Sequence, residues 1–260
     1  MITPLARLGF VSKAVIYAVV GGLALAAAAR AGGRVTDTSG ALRFILRQPY
    51  GQALLFVLAI GLCGYSLWRL LNAYYDPDRH GTGAGGLVVR IGHAIRGGVY
   101  GALGIEAFRL ANGLRGSNGR EAQLWTARIM DFPFGDWLIG AAGIIIVCVG
   151  VTEVWSGLTA RMDKSIDLSR IPRKLRNAAI NVSRFGVGAR GVIIAVLGLF
   201  LVKAALDHDP SEVHGTRQSM LELANAVNGR WMLAAIGAGL IAYALDQALH
   251  ARCRRIRPVV

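Results

Sequence analysis

The sequence predicts an all-α, polytopic membrane protein with six transmembrane helices, arranged as three parallel two-helix repeats with pseudo-threefold symmetry. The 260 residues are 54% hydrophobic and the mean hydropathy is +0.47, which is more apolar than ordinary soluble domains are. One stretch, 7–21, recurs at 90–104 and again at 184–198. Each copy is followed by a short amphipathic segment and then by a second apolar run. A unit repeated in this way is typical of proteins that stack copies of one supersecondary element.

The repeat is recognised by residues that keep their type at matched positions. The first copy reads RLGFVSKAVIYAVVG, and its arginine, two glycines and basic residue return in the other two copies. The matched sets are Arg7, Arg90 and Arg184; Gly9, Gly92 and Gly186; Lys13, Arg96 and Arg190; and Gly21, Gly104 and Gly198.

The first repeat predicts two spans and a short helix between them. The apolar run 8–29 resembles a signal peptide, but its other copies lie mid-chain, so we predict a retained helix. The amphipathic segment 41–48 is too short and too charged to cross, which favours an interfacial position, and Pro49 ends it. The run 52–73 is long enough to cross about 30 Å of hydrocarbon.

The other repeats follow the same order. Spans are predicted at 91–111, 137–155, 185–206 and 231–249, with interfacial segments at 121–132 and 217–229. The repeats occupy 1–81, 82–175 and 176–260 of a single membrane domain. Because each repeat has an even number of spans, all three start on the same side, and the predicted pseudo-threefold axis lies along the membrane normal.

The charge distribution predicts the orientation. The net charge is +14, and most basic residues lie between apolar runs, where positive-inside bias and anionic lipid explain them better than nucleic acid does. The side that carries both termini is the more basic, so we predict both termini in the cytoplasm of a bacterium, with the protein in its inner membrane. The densest run, the connector basic cluster, is predicted to bind anionic lipid headgroups and consists of Arg170, Arg173, Lys174 and Arg176.

Six charged residues lie inside predicted spans, within about two turns of the cytoplasmic ends. They form the predicted charged intramembrane layer and are Lys13, Arg69, Arg96, Glu153, Arg190 and Asp246. Each costs several kcal/mol unless it is paired or hydrated. We expect each acid to face the bundle interior within salt-bridge reach of one of the four cations. Snorkelling and stabilising ion pairs are one interpretation, and an anion-attracting vestibule or transport site is the other.

Small residues share a helical face with the repeated basic residue. The positions are Ala14 and Ala18, Gly97 and Gly101, and Gly191 and Ala195. Small residues spaced four apart let helix backbones approach closely, so we predict a helix-packing role. A narrow pore lined by these residues is the alternative.

The triplicated pattern R-x-G-x3-[KR]-[AG], followed by Pro49-Tyr50-Gly51 or Pro133-Phe134-Gly135, resembles a bacterial integral membrane family of unknown function, domain of unknown function 1206. The resemblance extends over nearly the whole chain and includes Gly61-Leu62-x-x-Tyr65. The third copy lacks the proline, and the second has Val149 where the first has Tyr65. The resemblance implies the three-repeat membrane fold and no particular chemistry.

No motif supports catalysis. The chain has three cysteines without a CxxC pair, and it contains no GxxxxGK[ST] or HExxH sequence. We therefore predict no catalytic residue, no metal and no cofactor. The predicted function is a structural or anionic-lipid- or partner-binding membrane protein. The alternative is a small channel or transporter that carries an anionic solute along the pseudo-threefold axis.

Overall fold

The computed structural model describes residues 2–30, 35–76, 83–114, 121–159, 173–209, 216–225 and 228–253, and in these ranges the chain is helical apart from turns. The helices are α1 (Ile2–Ala28), α2 (Thr38–Leu46), α3 (Gly51–Tyr75), α4 (Ala84–Ala111), α5 (Glu121–Met130), α6 (Gly135–Leu158), α7 (Arg173–Asp207), α8 (Thr216–Asn225) and α9 (Gly229–Cys253). Each repeat therefore supplies a long, a short and a long helix, in the predicted order.

A glycine is the first residue of the long helix that follows each short helix. A Cβ atom on Gly51 would lie 2.7 Å from the carbonyl oxygen of Leu46, and one on Gly135 would lie 2.6 Å from the Cα of Met130. Real Cβ atoms do not approach backbone atoms so closely, so the chain can fold back on the end of α2 or α5 only at a glycine. This explains why the glycine of Pro-Tyr-Gly and Pro-Phe-Gly recurs.

Repeated arginines cap the carbonyl ends of neighbouring helices. Arg90 donates from Nε to the carbonyl oxygen of Ala73 at 2.7 Å, and Arg184 donates from Nε to that of Gly157 at 2.8 Å. The last turn of a helix has carbonyls without intrahelical partners, which these side chains satisfy. The caps place the start of α4 beside the end of α3, and the early part of α7 beside the end of α6.

The opposite ends of the helices are joined in a similar way. Gln52 at the start of α3 donates to the carbonyl oxygen of Ala111 at the end of α4, and Arg230 of α9 donates to that of Ala28 in α1, both at 2.7 Å. Helices α1, α4 and α7 thus run in one direction, and α3, α6 and α9 return. We call the end of the bundle where α1 begins the N-terminal face.

The long helices form an incomplete ring. Helix α1 packs closely on α9, α3 on α4 and α6 on α7, and α1 also contacts α3 as α7 contacts α9. Within the described ranges α4 and α6 make no comparable contact. The second repeat therefore differs from the first and third, whose two long helices touch each other.

The closest helix pairs meet at glycines. A Cβ on Gly198 would lie 2.6 Å from the backbone nitrogen of Val147 in α6, and one on Gly104 would lie 2.7 Å from Sγ of Cys63 in α3. Gly21 would meet the carbonyl oxygen of Gly237 in α9 at 2.7 Å. The matched glycine in all three repeats thus faces the second long helix of another repeat, where it allows close backbone approach.

The predicted packing positions do not behave alike in the three copies. Gly97 and Gly101 face α3, where added Cβ atoms would lie 2.9 Å from Leu70 and 2.8 Å from Oγ of Ser66. Gly191 and Ala195 face α6, where the carbonyl oxygen of Gly150 lies 2.8 Å from the Gly191 Cβ position. In the first repeat Ala14 is only half-buried and Ala18 is exposed.

The composition of the helices is that of a multi-pass membrane protein. Of the described helices, α1, α3, α6, α7 and α9 are long and apolar enough to cross a membrane. Helix α4 is equally long, but Arg90, Arg96, Glu106 and Arg109 make it more polar. Trp137 and Trp155 are exposed near the two ends of α6, where membrane-interface tryptophans are usually found.

Helix α7 is longer than the predicted span. It begins at Arg173 and not near Phe185, which extends it by about 18 Å at the N-terminal face. Arg173 and Lys174 of the connector basic cluster lie in its first turn, and Arg176 is partly buried in the next. Arg170 lies outside the described residues.

Candidate functional site

The structure brings the six residues of the charged layer to the wall of one cavity at the N-terminal face. This polar cavity has a volume of about 270 Å³ and is also lined by Tyr65, Tyr100, Arg184, Tyr243 and His250. The repeat explains the convergence, because matched positions on α1, α4 and α7 lie at one level and face the ends of α3, α6 and α9.

Lys13 is buried in an aromatic cage. Its side chain lies inside the bundle and the residue is 4% exposed. The ammonium lies 4.6 Å from the ring centre of Tyr65 and 4.7 Å from that of Tyr100, with Phe10 and Tyr243 within 6 Å. Its hydrogen bond is to Oη of Tyr65 at 3.4 Å. Among the described residues no carboxylate lies within salt-bridge distance of Lys13, so ring faces and a phenol stabilise the charge.

Glu153 joins two of the cations, as expected. It accepts two hydrogen bonds from Nη1 of Arg190, at 2.6 and 2.8 Å, and it lies 3.9 Å from Nη2 of Arg96. Arg190 also lies over the ring of Tyr243 at 5.1 Å. Because Glu153 is on α6, Arg190 on α7 and Arg96 on α4, this carboxylate links three helices.

Asp246 does not pair as expected. It is 3% exposed, and its partners are Nε2 of Gln247 at 3.0 Å and Nδ1 of His250 at 3.4 Å. None of the four layer cations lies within salt-bridge distance of it. His250 is one turn farther along the same helix, so it reaches the carboxylate without any rearrangement between helices.

Arg69 also has uncharged partners. Its Nε donates to Oη of Tyr65 and its Nη1 lies 2.8 Å from Nδ1 of His93. The guanidinium stacks over Trp68, 4.8 Å from the ring centre. Glu153 therefore neutralises part of the layer, while Lys13 and Arg69 keep their charge among rings, hydroxyls and imidazole, and the cavity wall has more cations than acids.

A second, largely apolar cavity continues from the polar one. It has a volume of about 750 Å³, and its walls come mainly from α4, α6 and α7. The two cavities share Arg96, Tyr100, Glu153 and Arg190. At its far end this apolar cleft reaches Thr38 of α2 and Met220 of α8, on the side of the short helices.

These observations define a class of protein: a multi-pass helical membrane protein of three two-helix repeats. The chain belongs to the family described as Domain of Unknown Function (DUF1206), whose model matches residues 8–76, 91–160 and 185–254. The recognition made from the repeated motifs is thereby confirmed. The chain is also similar to an uncharacterized protein of Bacillus subtilis (strain 168), YxxB, with 35% identity over 239 residues, covering 92% of this chain and 86% of the relative. No solved structure matches the chain.

The sequence reasoning found the charges but missed their aromatic partners. Tyr65 and Tyr243 occupy the same position in the first and third repeats, one turn before Arg69 and Gln247. That recurrence, at a spacing of four on a helix that carries the layer, was the available signal. Tyr100 gave the same signal, because its matched position is Tyr17 in the first repeat and Ile194 in the third.

Proposed function

We propose that this protein binds the headgroup of an anionic phospholipid in the polar cavity. The observation that carries the proposal is the cation excess in its wall, where Lys13 and Arg69 are buried and their partners among the described residues are uncharged. A buried cation without a counter-ion is costly, and a phosphate entering the cavity supplies one. Phosphate oxygens also accept hydrogen bonds from ammonium and guanidinium groups, which shortens and strengthens the contact.

The proposal includes a topology. In it the chain crosses the membrane six times, with α4 as the sixth span, in pseudo-threefold repeats, both termini lie in the cytoplasm, and the polar cavity lies at the cytoplasmic leaflet of a bacterial inner membrane. Anionic lipid in that leaflet attracts basic side chains, so Arg173, Lys174 and Arg176 of the connector basic cluster, which lie at the same face, support this orientation. Helix α4 has 28 residues, close to the 27 of its matched helix α1, and hydrogen bonds from Gln52 and Arg90 join it to α3 at both ends.

A headgroup site accounts for the cavities better than an anion pathway does. A pathway along the axis would need polar groups through the full depth of the bundle. The middle of the apolar cleft is lined by Val99, Leu103, Ile193 and Leu197. An anion would lose its hydration there without replacement, whereas a lipid presents hydrocarbon to those side chains.

The test is lipid retention by the purified protein. Native mass spectrometry after exposure to equal amounts of phosphatidylglycerol and phosphatidylcholine should show preferential retention of phosphatidylglycerol. Lys13→Met should reduce that preference roughly tenfold, because a charge-assisted contact contributes about 1.5–3 kcal/mol. Arg7→Gln is the matched control, since Arg7 is exposed on the same helix near the same face.

Equal retention of the two lipids by the unchanged protein would contradict the proposal. A liposome flux assay separates the alternative. Anion flux that the protein supports and Lys13→Met abolishes would favour a channel or transporter over a lipid-binding protein.

A further inference from the structure

We infer that the opening between α4 and α6 holds one acyl chain of the anionic phospholipid whose headgroup occupies the polar cavity. The inference rests on the proposed function and adds the part of the ligand that lies in the membrane. It names the gap in the helix ring as the route by which the lipid enters from the bilayer.

The opening is lateral. Helices α4 and α6 both line the apolar cleft, yet they do not pack on each other. The wall residues Ile95 and Val99 of α4 are 58% and 60% exposed, and Ile145 of α6 is 61% exposed. Side chains that line a cavity and are also this exposed lie at its mouth, so the cleft opens on the apolar outer surface of the bundle.

The sequence explains why only the second repeat is open. In the first repeat α1 and α3 meet where Gly61 faces Ser12, and a Cβ on Gly61 would also lie 3.0 Å from the carbonyl oxygen of Leu8. In the third repeat Gly239 faces Ala189 in the same way. The matched residues of the second repeat are Ile145 and Ile95. Two isoleucines hold the helices apart where a glycine and a small residue let them touch.

The surroundings of a glycine on α4 also show that α4 is separated from α6. In the first repeat, a Cβ on Gly9 would lie 2.6 Å from the carbonyl oxygen of Gly61. In the third repeat, a Cβ on Gly186 would lie 2.6 Å from the carbonyl carbon of Ala242. Their counterpart Gly92 has no atom within 4 Å of its Cβ position. The space beside α4 therefore begins at the level of the charged layer.

The cleft has the dimensions and polarity of a lipid site. Arg96 and Arg109 of α4 both line it, and they are about 20 Å apart along the helix, which exceeds the ~15 Å of hydrocarbon in one leaflet. Its volume of about 750 Å³ lies within the range of ligand pockets. The end of the cleft at Arg96 and Arg190 carries excess positive charge and its middle is apolar, which matches an anionic headgroup followed by a chain. Glu106 and Arg109 line the far end.

Arg96 is placed to contact the phosphate of the headgroup. Its side chain is 45% exposed, and its contact with Glu153 at 3.9 Å is the ionic contact that joins α4 to α6 among the described residues. Glu153 keeps two shorter hydrogen bonds from Arg190. Arg96 can therefore turn to a phosphate in the opening while Glu153 retains its other partner.

The experiment maps an acyl chain in the reconstituted full-length protein. Phosphatidylglycerol with a photoactivatable group in one chain is incorporated into phosphatidylcholine vesicles, and cross-linked peptides are identified by mass spectrometry. We expect cross-links on the cleft sides of α4 and α6, at Val99 and Ile145, above those at Val57 and Ile60, which are exposed apolar residues of α3 that face away from the cleft. Equal labelling of the two sets would overturn the inference.

Two variants that alter the cleft without touching the charged layer extend the test. Ala102→Phe places a ring in the cleft, and Ala94→Phe is its control, since Ala94 is an exposed alanine of α4 that lines neither cavity. We expect Ala102→Phe to lower cross-linking at Ile145 roughly tenfold by occupying the chain's space, and the control to leave it unchanged. The pair Ile95→Ser and Ile145→Gly, which restores the residues of the first repeat, should close the opening and lower labelling at Val99.

A headgroup-only probe separates the two proposals. If glycerol phosphate raises the melting temperature of the protein and of Ala102→Phe equally while the cleft is not labelled, the headgroup site stands and the chain site is wrong. If neither glycerol phosphate nor phosphatidylglycerol binds in preference to uncharged or zwitterionic counterparts, the proposed function itself fails. A Val99→Cys variant that forms disulfide-linked dimers in the membrane would show a second copy in the opening, which also overturns the inference.

Discussion

Replacing Glu153 by glutamine should destabilise the protein more than replacing Arg69 by glutamine. Glu153 is the carboxylate that neutralises Arg190, through hydrogen bonds of 2.6 and 2.8 Å. Glu153→Gln leaves that guanidinium buried and facing an amide, and it enlarges the positive excess of the cavity. Arg69→Gln removes a cation whose partners in the described part of the chain are uncharged, so it reduces the same excess.

The magnitudes follow from the two environments. Breaking a buried ion pair costs 3–5 kcal/mol, and the side chains of Glu153 and Arg190 are 15% and 18% exposed, so about 3 kcal/mol is expected. Arg69→Gln loses its bonds to Tyr65 and His93, but it also removes an uncompensated charge, which leaves a net cost of about 1 kcal/mol. For a chain of this size 1 kcal/mol corresponds to about 2–4 °C in melting temperature.

Thermal unfolding in one detergent should therefore show a loss of about 6–12 °C for Glu153→Gln and about 2–4 °C for Arg69→Gln. The double variant Glu153→Gln with Arg190→Gln should melt higher than the sum of the single losses predicts, because the second change removes the charge that the first left unpaired. Equal losses for the two single variants, or the reverse order, would refute the reasoning that these charges form one layer.

Three further predictions concern topology, packing and the surface. A reporter enzyme that is active only outside the cytoplasm should be active when fused after Gly33 or Gly119 and inactive when fused after Val260. An inactive fusion after Gly119 would show that α4 does not cross the membrane. Gly198→Ala should cost about 1–3 kcal/mol by overpacking against α6, whereas Gly188→Ala, with open space at its Cβ position, should be neutral or slightly stabilising in thermal unfolding. Charge reversal across the connector basic cluster should weaken binding to anionic vesicles by roughly 1 kcal/mol per residue near the surface, and unchanged binding in flotation assays would remove its predicted role.

The repeat made much of the fold accessible from sequence. Hydropathy and matched glycines located the long helices to within seven residues at each end, except at α7, where the connector continues the helix back to Arg173. Membrane-length apolar runs mark where hydrocarbon is crossed, and a charged extension beyond the membrane surface leaves no signal in them. Matched positions likewise predicted which charged residues share a level, because the matched helices run in the same direction and keep their register.

The pairing inside the charged layer could not be predicted in the same way. Arg69, Glu153 and Gln247 occupy one repeat position with three different charges, so the repeat fixes their location but not their partners. Partner choice depends on side chains within about 4 Å, such as His250 beside Asp246, which lie on the same helix and belong to no repeated motif. Depth alone therefore predicted a salt bridge correctly for Glu153 and incorrectly for Asp246.

The gap between α4 and α6 and the exposure of Arg96 both arise from departures of the second repeat from the other two. In the first repeat Lys13 lies over Tyr65, and in the third Arg190 lies over Tyr243. The matched position in the second repeat is Val149, which has no ring to cover Arg96. One turn earlier Ile145 replaces the glycine that closes the other repeats. These two departures lie one turn apart on one face of α6, so the substitution that separates α6 from α4 adjoins the one that leaves Arg96 without a ring at the opening. Chance loss of symmetry would not need to place an apolar gap and an uncovered charge together, whereas a site for an anionic amphiphile requires both.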